Sequence, residues 1–103
     1  MTPAVLHILL SLASEDRHGL GIAADVRAFT NGRLNFGPGT LYGTIKRLLD
    51  AGLIDDLGPT PAEQGDPRRR YYRITAKGRR ALELETDGLA SVLGVARRRL
   101  KTS

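Results

Sequence analysis

The chain has 103 residues, 41% of them hydrophobic, which suits one domain with a modest core and excludes a disordered chain. It has no cysteine and no tryptophan, so disulfide frameworks and thiolate metal sites are excluded and the core must be built from Leu, Ile, Val and Ala. The net charge of +5 is unevenly spread: residues 1–67 carry five Lys/Arg against eight Asp/Glu, and residues 68–103 carry eleven against three. A basic half of this kind suits a polyanion, and equally a solubility role or an acidic protein or membrane surface.

Thr2-Pro3 places a hydroxyl at an N-cap and proline at the first helical position, predicting a helix to about Ala13. Its apolar run is about half the ~20 residues a bilayer span needs. It also lacks a basic leader and a small-residue cleavage site, so it reads as a core helix, with no membrane partner expected. Apolar residues at 5, 6, 8, 9, 10, 12 and 13 go most of the way round it, so more than one side must be covered, and a second copy of the chain is a candidate for one side. Residues 14–19 read as a polar turn. A second helix is expected over roughly Leu20–Phe29, with Ile22, Val26 and Phe29 inward and Asn31-Gly32 as its stop. Arg33 to Phe36 is a connection or a first short strand.

The most informative stretch is GPGTLYGTIKRLLDAGLI, residues 37–54. Pro38 suits the first helical position, Gly52 the stop, and Leu41, Ile45, Leu48 and Leu49 fall on one face at helical spacing. Gly39, Gly43, Lys46, Arg47 and Asp50 lie away from that stripe, with Tyr42 on its shoulder. A helix with an apolar back and a front of small, hydroxyl and basic groups fits a DNA major groove, with its N-terminal end presenting Thr40 and Tyr42. Residues 53–57 then read as a strand, 58–67 as a loop with three prolines, and 70–75 as a half-exposed strand. The two strands and their loop form a hairpin, the candidate wing. Arg68, Arg69 and Arg70 stand at its base, as phosphate donors or as a solvated charge run. Strand alternation puts Arg68 and Arg70 on one side and Arg69 on the other, unless the loop extends through it.

Thr75 caps a final helix from Ala76 to about Lys101. Leu82, Leu89 and Ala96 recur at a spacing of seven, as do Leu93 and Leu100, with Val92 on the same flank. This helix outruns the core of one small subunit, and its stripe, with Leu6, Leu9 and Leu10 of the first helix, forms the expected dimer interface. His7 reads as a packing residue, and His18 as structural or phosphate-adjacent. No nucleophile–base pair, metal spacing or phosphate-binding glycine loop is present, so neither an enzyme nor a cofactor or metal is expected.

The element order is that of a mainly α (α+β) fold, a winged helix-turn-helix with a two-stranded wing over 1–75 and a C-terminal dimerisation helix over 76–103. The segments HGLGIAADV, GPGTLYGTIKRLLDAGLI and DPRRRYYRITAKGRRAL, in that order, resemble the PadR family of bacterial transcriptional regulators, specifically its small members with a single C-terminal helix. The resemblance implies a cytoplasmic homodimer that binds a palindromic double-stranded operator as a repressor, with Tyr42 on a phosphate. It also leaves room for a small-molecule effector between the subunits. Leu20 departs from a common tyrosine, and the last helix has no aromatic residue with which to stack a flat ligand. The rival expectation is a winged-helix module that binds a protein and not DNA.

Overall fold

A computed structural model describes residues 1–59 and 69–102. The order is α1 (Pro3–Ser14), β1 (Arg17–His18), α2 (Gly19–Phe29), α3 (Pro38–Asp50), β2 (Ile54–Pro59), β3 (Arg70–Ile74) and α4 (Ala76–Thr102). The sequence-derived winged helix is confirmed, with one addition. The sheet has three antiparallel strands in the order β1-β3-β2, not two. β1 falls in the expected polar turn and pairs Arg17 with Tyr72 and His18 with Tyr71. Arg33 to Phe36 holds no strand.

Local signals explain the helix ends. The Val5 amide donates to Thr2 Oγ1 at 3.2 Å, capping α1. α2 closes on Asn31 (φ 54°), with the Gly32 amide donating back to Arg27 O and that of Asn31 to Ala28 O. α3 closes the same way through Gly52 (φ 74°), with the Leu53 amide reaching Leu48 O and that of Gly52 reaching Leu49 O. In both, the left-handed residue lets orphan carbonyls of the last turn be satisfied.

α1 is the central element and touches α2, α3, α4 and β3. The core comprises Ile8, Leu9, Leu12, Ile22, Val26, Leu41, Ile45, Leu48, Ile54, Tyr72, Ile74 and Leu82. Three expectations change here. Phe29 is not inward: it is 45% exposed and stacks on His7, with ring centroids 5.8 Å apart. Leu49 is only partly buried, and Thr44, four residues before Leu48 and so on the same face as it, is fully buried instead. Leu9 and Leu82, assigned to the dimer interface, are enclosed by their own subunit because α4's first turns lie against α1.

Ser11 is buried in α1 and its hydroxyl has no hydrogen-bond partner. An unsatisfied buried hydroxyl costs about 1–3 kcal/mol. Ser11→Ala should therefore raise the thermal midpoint by a few degrees in circular-dichroism melts, where most substitutions in a close-packed core lower it.

The start of α4 is fastened to the end of α3. The Thr75 amide donates to Leu53 O at 3.0 Å, the Thr75 hydroxyl to Gly52 O at 2.8 Å, and Lys77 Nζ to Ala51 O at 2.8 Å. Thr75 Oγ1 also accepts the Gly78 amide at 3.0 Å, the expected N-cap. Gly78 is buried because Leu53 O occupies the space its side chain would take. Beyond this anchor α4 projects, and the molecule measures 58 × 28 × 22 Å. Leu89, Val92, Leu93 and Leu100 are exposed along it. No helix among the described residues is long and apolar enough to cross a membrane.

Candidate nucleic-acid interface

α3 starts at Gly37, which caps it in extended conformation without a side-chain hydrogen bond, and Pro38 takes the first position. Leu41, Thr44, Ile45 and Leu48 are buried against the core, which turns the opposite face outward. Gly39, Thr40, Tyr42, Gly43, Lys46 and Arg47 are all exposed, as the sequence predicts. Lys46 Nζ pairs with Asp50 Oδ2 at 3.1 Å, but the two side chains are 77% and 68% exposed. Such a pair holds little energy and exchanges readily for another anion. Arg47 Nη2 donates to Thr44 Oγ1 at 3.2 Å, which braces the guanidinium against the helix.

α2 begins beside this face. His18 caps it, its Nδ1 accepting the Gly21 amide at 3.0 Å. That bond requires an unprotonated Nδ1, so the neutral ring carries its proton on Nε2. The ring sits edge-on to Tyr71, with centroids 5.4 Å apart. This packing is available because β1 pairs with β3. Arg69 Nη1 stands 3.5 Å from His18 Nε2. Burial first, and then the Arg69 charge, hold the imidazole pKa below its ordinary 6.5.

On β2, Asp56 Oδ2 accepts from Arg70 Nε at 2.8 Å, and Asp56 Oδ1 accepts the Gly58 amide at 2.8 Å. Gly58 has φ 87° and lies in the register shift between Asp56 and Pro59, where β2 carries one extra residue. On the other side of β3, Arg73 grips Asp16 through Nε and Nη2, the shorter bond being 2.8 Å. The hydrogen bonds from Arg73 and Arg70 lower the carboxyl pKa of Asp16 and Asp56 below the ordinary 3.8, while partial burial acts against them.

These shifts have a defined sign. A carboxyl whose folded pKa is lowered stabilises fully above its ordinary value and loses that contribution as pH falls through the lowered one. His18 is also lowered, so below about pH 6.5 the unfolded chain takes up the proton first and stability drops. The thermal midpoint should fall between pH 7 and 5 and again below pH 4. His18→Asn, which keeps a capping oxygen but does not titrate, should flatten the first fall only.

α2's start, α3 and β3 enclose a cleft of about 480 Å³ lined by His18, Gly19, Leu20, Tyr42, Arg69, Arg70 and Tyr72. It unites three of the sequence-predicted residues: Tyr42, Arg69 and Arg70. Arg69 lines the same cleft as Arg70 because it precedes β3 and escapes the strand alternation. Arg68 lies outside the described residues. Lys46 and Arg47 stand on α3's front and do not line this cleft. The cap role of His18 and the place of Gly19 beneath Tyr42 were not read from the sequence. A polar residue before a helix that opens with glycine was the signal for the first.

Residues 5–84 match the transcriptional regulator PadR-like family. The chain is 29% identical to a PadR family transcription regulator of known structure from Clostridium difficile R20291, with a TM-score of 0.78 over 96% of this chain and 99% of that one. A transcriptional regulator from Clostridium thermocellum is 25% identical, with a TM-score of 0.77 over 92% of this chain and 87% of that one. An uncharacterized 37.1 kDa protein in transposon TN4556 of Streptomyces fradiae is 35% identical over 91 residues, 88% of this chain. The chain spans only 24% of that relative's length. With the winged-helix architecture and the family match over most of its length, the chain belongs to the PadR-like family of transcriptional regulators.

Proposed function

We propose that this protein is a homodimeric, sequence-specific DNA-binding repressor, with no catalytic activity of its own. The carrying observation is that one cleft combines the start of α2, Tyr42, and Arg69 and Arg70 at the start of β3, beside α3's exposed front. Unpaired amides at a helix start favour an anion, and α3's front offers Thr40, Lys46 and Arg47 to a groove and its phosphates. Gly39 and Gly43 keep that front low by carrying no side chain where the surface is open. Two copies related by a twofold axis would present two such faces to a palindromic operator in the bacterial cytoplasm. The exposed α4 residues Leu89, Val92, Leu93 and Leu100, with Ala96 and the half-buried Leu6 and Leu10 of α1, are the proposed contact between copies. Residues 1–75 form the DNA-binding unit and 76–103 the dimerisation helix. A small molecule bound between the copies would alter half-site spacing.

The decisive experiment is fluorescence anisotropy on a duplex taken from upstream of the protein's own gene, with salt varied. Phosphate-driven binding weakens linearly in log–log form, losing about 0.9 in slope per phosphate neutralised. Binding that ignores salt, or none on any duplex, would move the protein to a protein-binding role.

Asp56 supplies a second test. It holds Arg70 in the free protein and adds a negative charge at the wing. Asp56→Asn should therefore tighten duplex binding by about threefold at low salt and lose that advantage as salt is raised. Unchanged affinity would place Arg70 away from the phosphates.

A further inference from the structure

Gly19 is buried at the first position of α2, and the ring of Tyr42 lies over it. A Cβ on Gly19 would come within 2.7 Å of Tyr42 Cε1 and 2.8 Å of its Oη. The backbone gives no reason for the glycine. Positive φ occurs only at Asn31, Gly32, Gly52 and Gly58 among the described residues, and alanine is the better helix former. The reason is the ring. Tyr42 itself is 46% exposed, while its Cε1 edge and hydroxyl lie against the start of α2.

We propose that Gly19 is a positioning residue for DNA binding: by lacking a side chain it lets the Tyr42 phenol stand against the first turn of α2, so that hydroxyl and helix amides address the same phosphate. This rests on the DNA-binding reading above. The amides of a helix's first turn have no intrahelical acceptor, and the helix end carries a partial positive charge. In α2 His18 Nδ1 takes the Gly21 amide, so the amides in question are those of Gly19 and Leu20. A tyrosine hydroxyl alone on a surface is a weak phosphate donor. Held beside those amides, in the cleft that Arg69 and Arg70 also line, it would add its hydroxyl to theirs as a donor to one anion. A methyl group at Gly19 meets the far end of a flexible side chain rather than backbone, so Gly19→Ala moves the phenol without unfolding the subunit.

The test is a cycle of four proteins, measured on the upstream duplex at one salt concentration: wild type, Gly19→Ala, Tyr42→Ala and the double variant. Gly19→Ala should weaken binding by about tenfold in the presence of Tyr42, the scale of a charge-assisted hydrogen bond, and by less than about twofold on the Tyr42→Ala background. Circular dichroism should show all four folded. A merely structural role for Gly19 in α2 would give the same loss on both backgrounds, and that result overturns the proposal while leaving DNA binding standing. So would a Gly19→Ala protein that fails to fold with or without Tyr42. A wild type that binds no duplex overturns the DNA-binding reading itself and this role with it.

Discussion

Gly78→Ala should lower the thermal midpoint by about 15 °C, because among the described glycines it is the one where an added methyl group would press on backbone. Its Cβ would overlap the carbonyl oxygen of Leu53 and approach Ile74 Cγ1 to 2.8 Å. That oxygen cannot step aside, because it already accepts the Thr75 amide. Relief requires α4 to lift from the end of α3, which breaks the bonds from Thr75 and Lys77 to Gly52 O and Ala51 O. Overpacking against a fixed backbone costs about 3 kcal/mol, and in a domain this size each kcal/mol moves the midpoint by about 4–8 °C. Such a loss is a large part of the 5–15 kcal/mol that small domains possess. Thr75→Ala is the comparison: losing the cap should cost about 1 kcal/mol, a shift of about 4–8 °C. Equal midpoints for Gly78→Ala and wild type would show that the contact between α3 and α4 is looser than described.

The second large effect is on binding. Replacing Lys46, Arg69 and Arg70 together with alanine should reduce affinity for any duplex by at least about 100-fold at low salt. The dependence of log affinity on log salt should become shallower by about 2.7 if all three neutralise phosphates. The fold should survive: the Lys46 and Arg70 side chains are 77% and 52% exposed, and Arg69 is exposed as well. Far-ultraviolet circular dichroism and gel filtration would check that. Affinity within a few-fold of wild type would remove these positions from the interface.

The helices were legible because their ends carry chemistry. Thr2, Asn31-Gly32, Gly52 and Thr75 each mark a terminus by a hydrogen bond or a dihedral that few other residues supply, and Pro3 and Pro38 by a missing amide hydrogen at the first helical turn. α3's outward face followed from helical spacing, and its exposed residues are those expected. What escaped depends on residues far apart in the chain. β1 is two residues long and exists only because β3 arrives beside it, so no alternation could reveal it. Leu9 and Leu82 read as interface positions by spacing alone. Which apolar side of α1 and α4 faces the same subunit is settled by their packing, and periodicity does not carry that information. Likewise the glycine under Tyr42 looks, in sequence, like any other glycine at a helix start.

The clasp between the tail of α3 and the head of α4 has a mechanical consequence. Three consecutive carbonyls, Ala51 to Leu53, are gripped by the first turn of α4, with no slack segment between them. On the function proposed above, the rod assigned to the groove and the arm assigned to the twin would therefore swing as one lever, a tilt of the arm re-aiming the rod without gears.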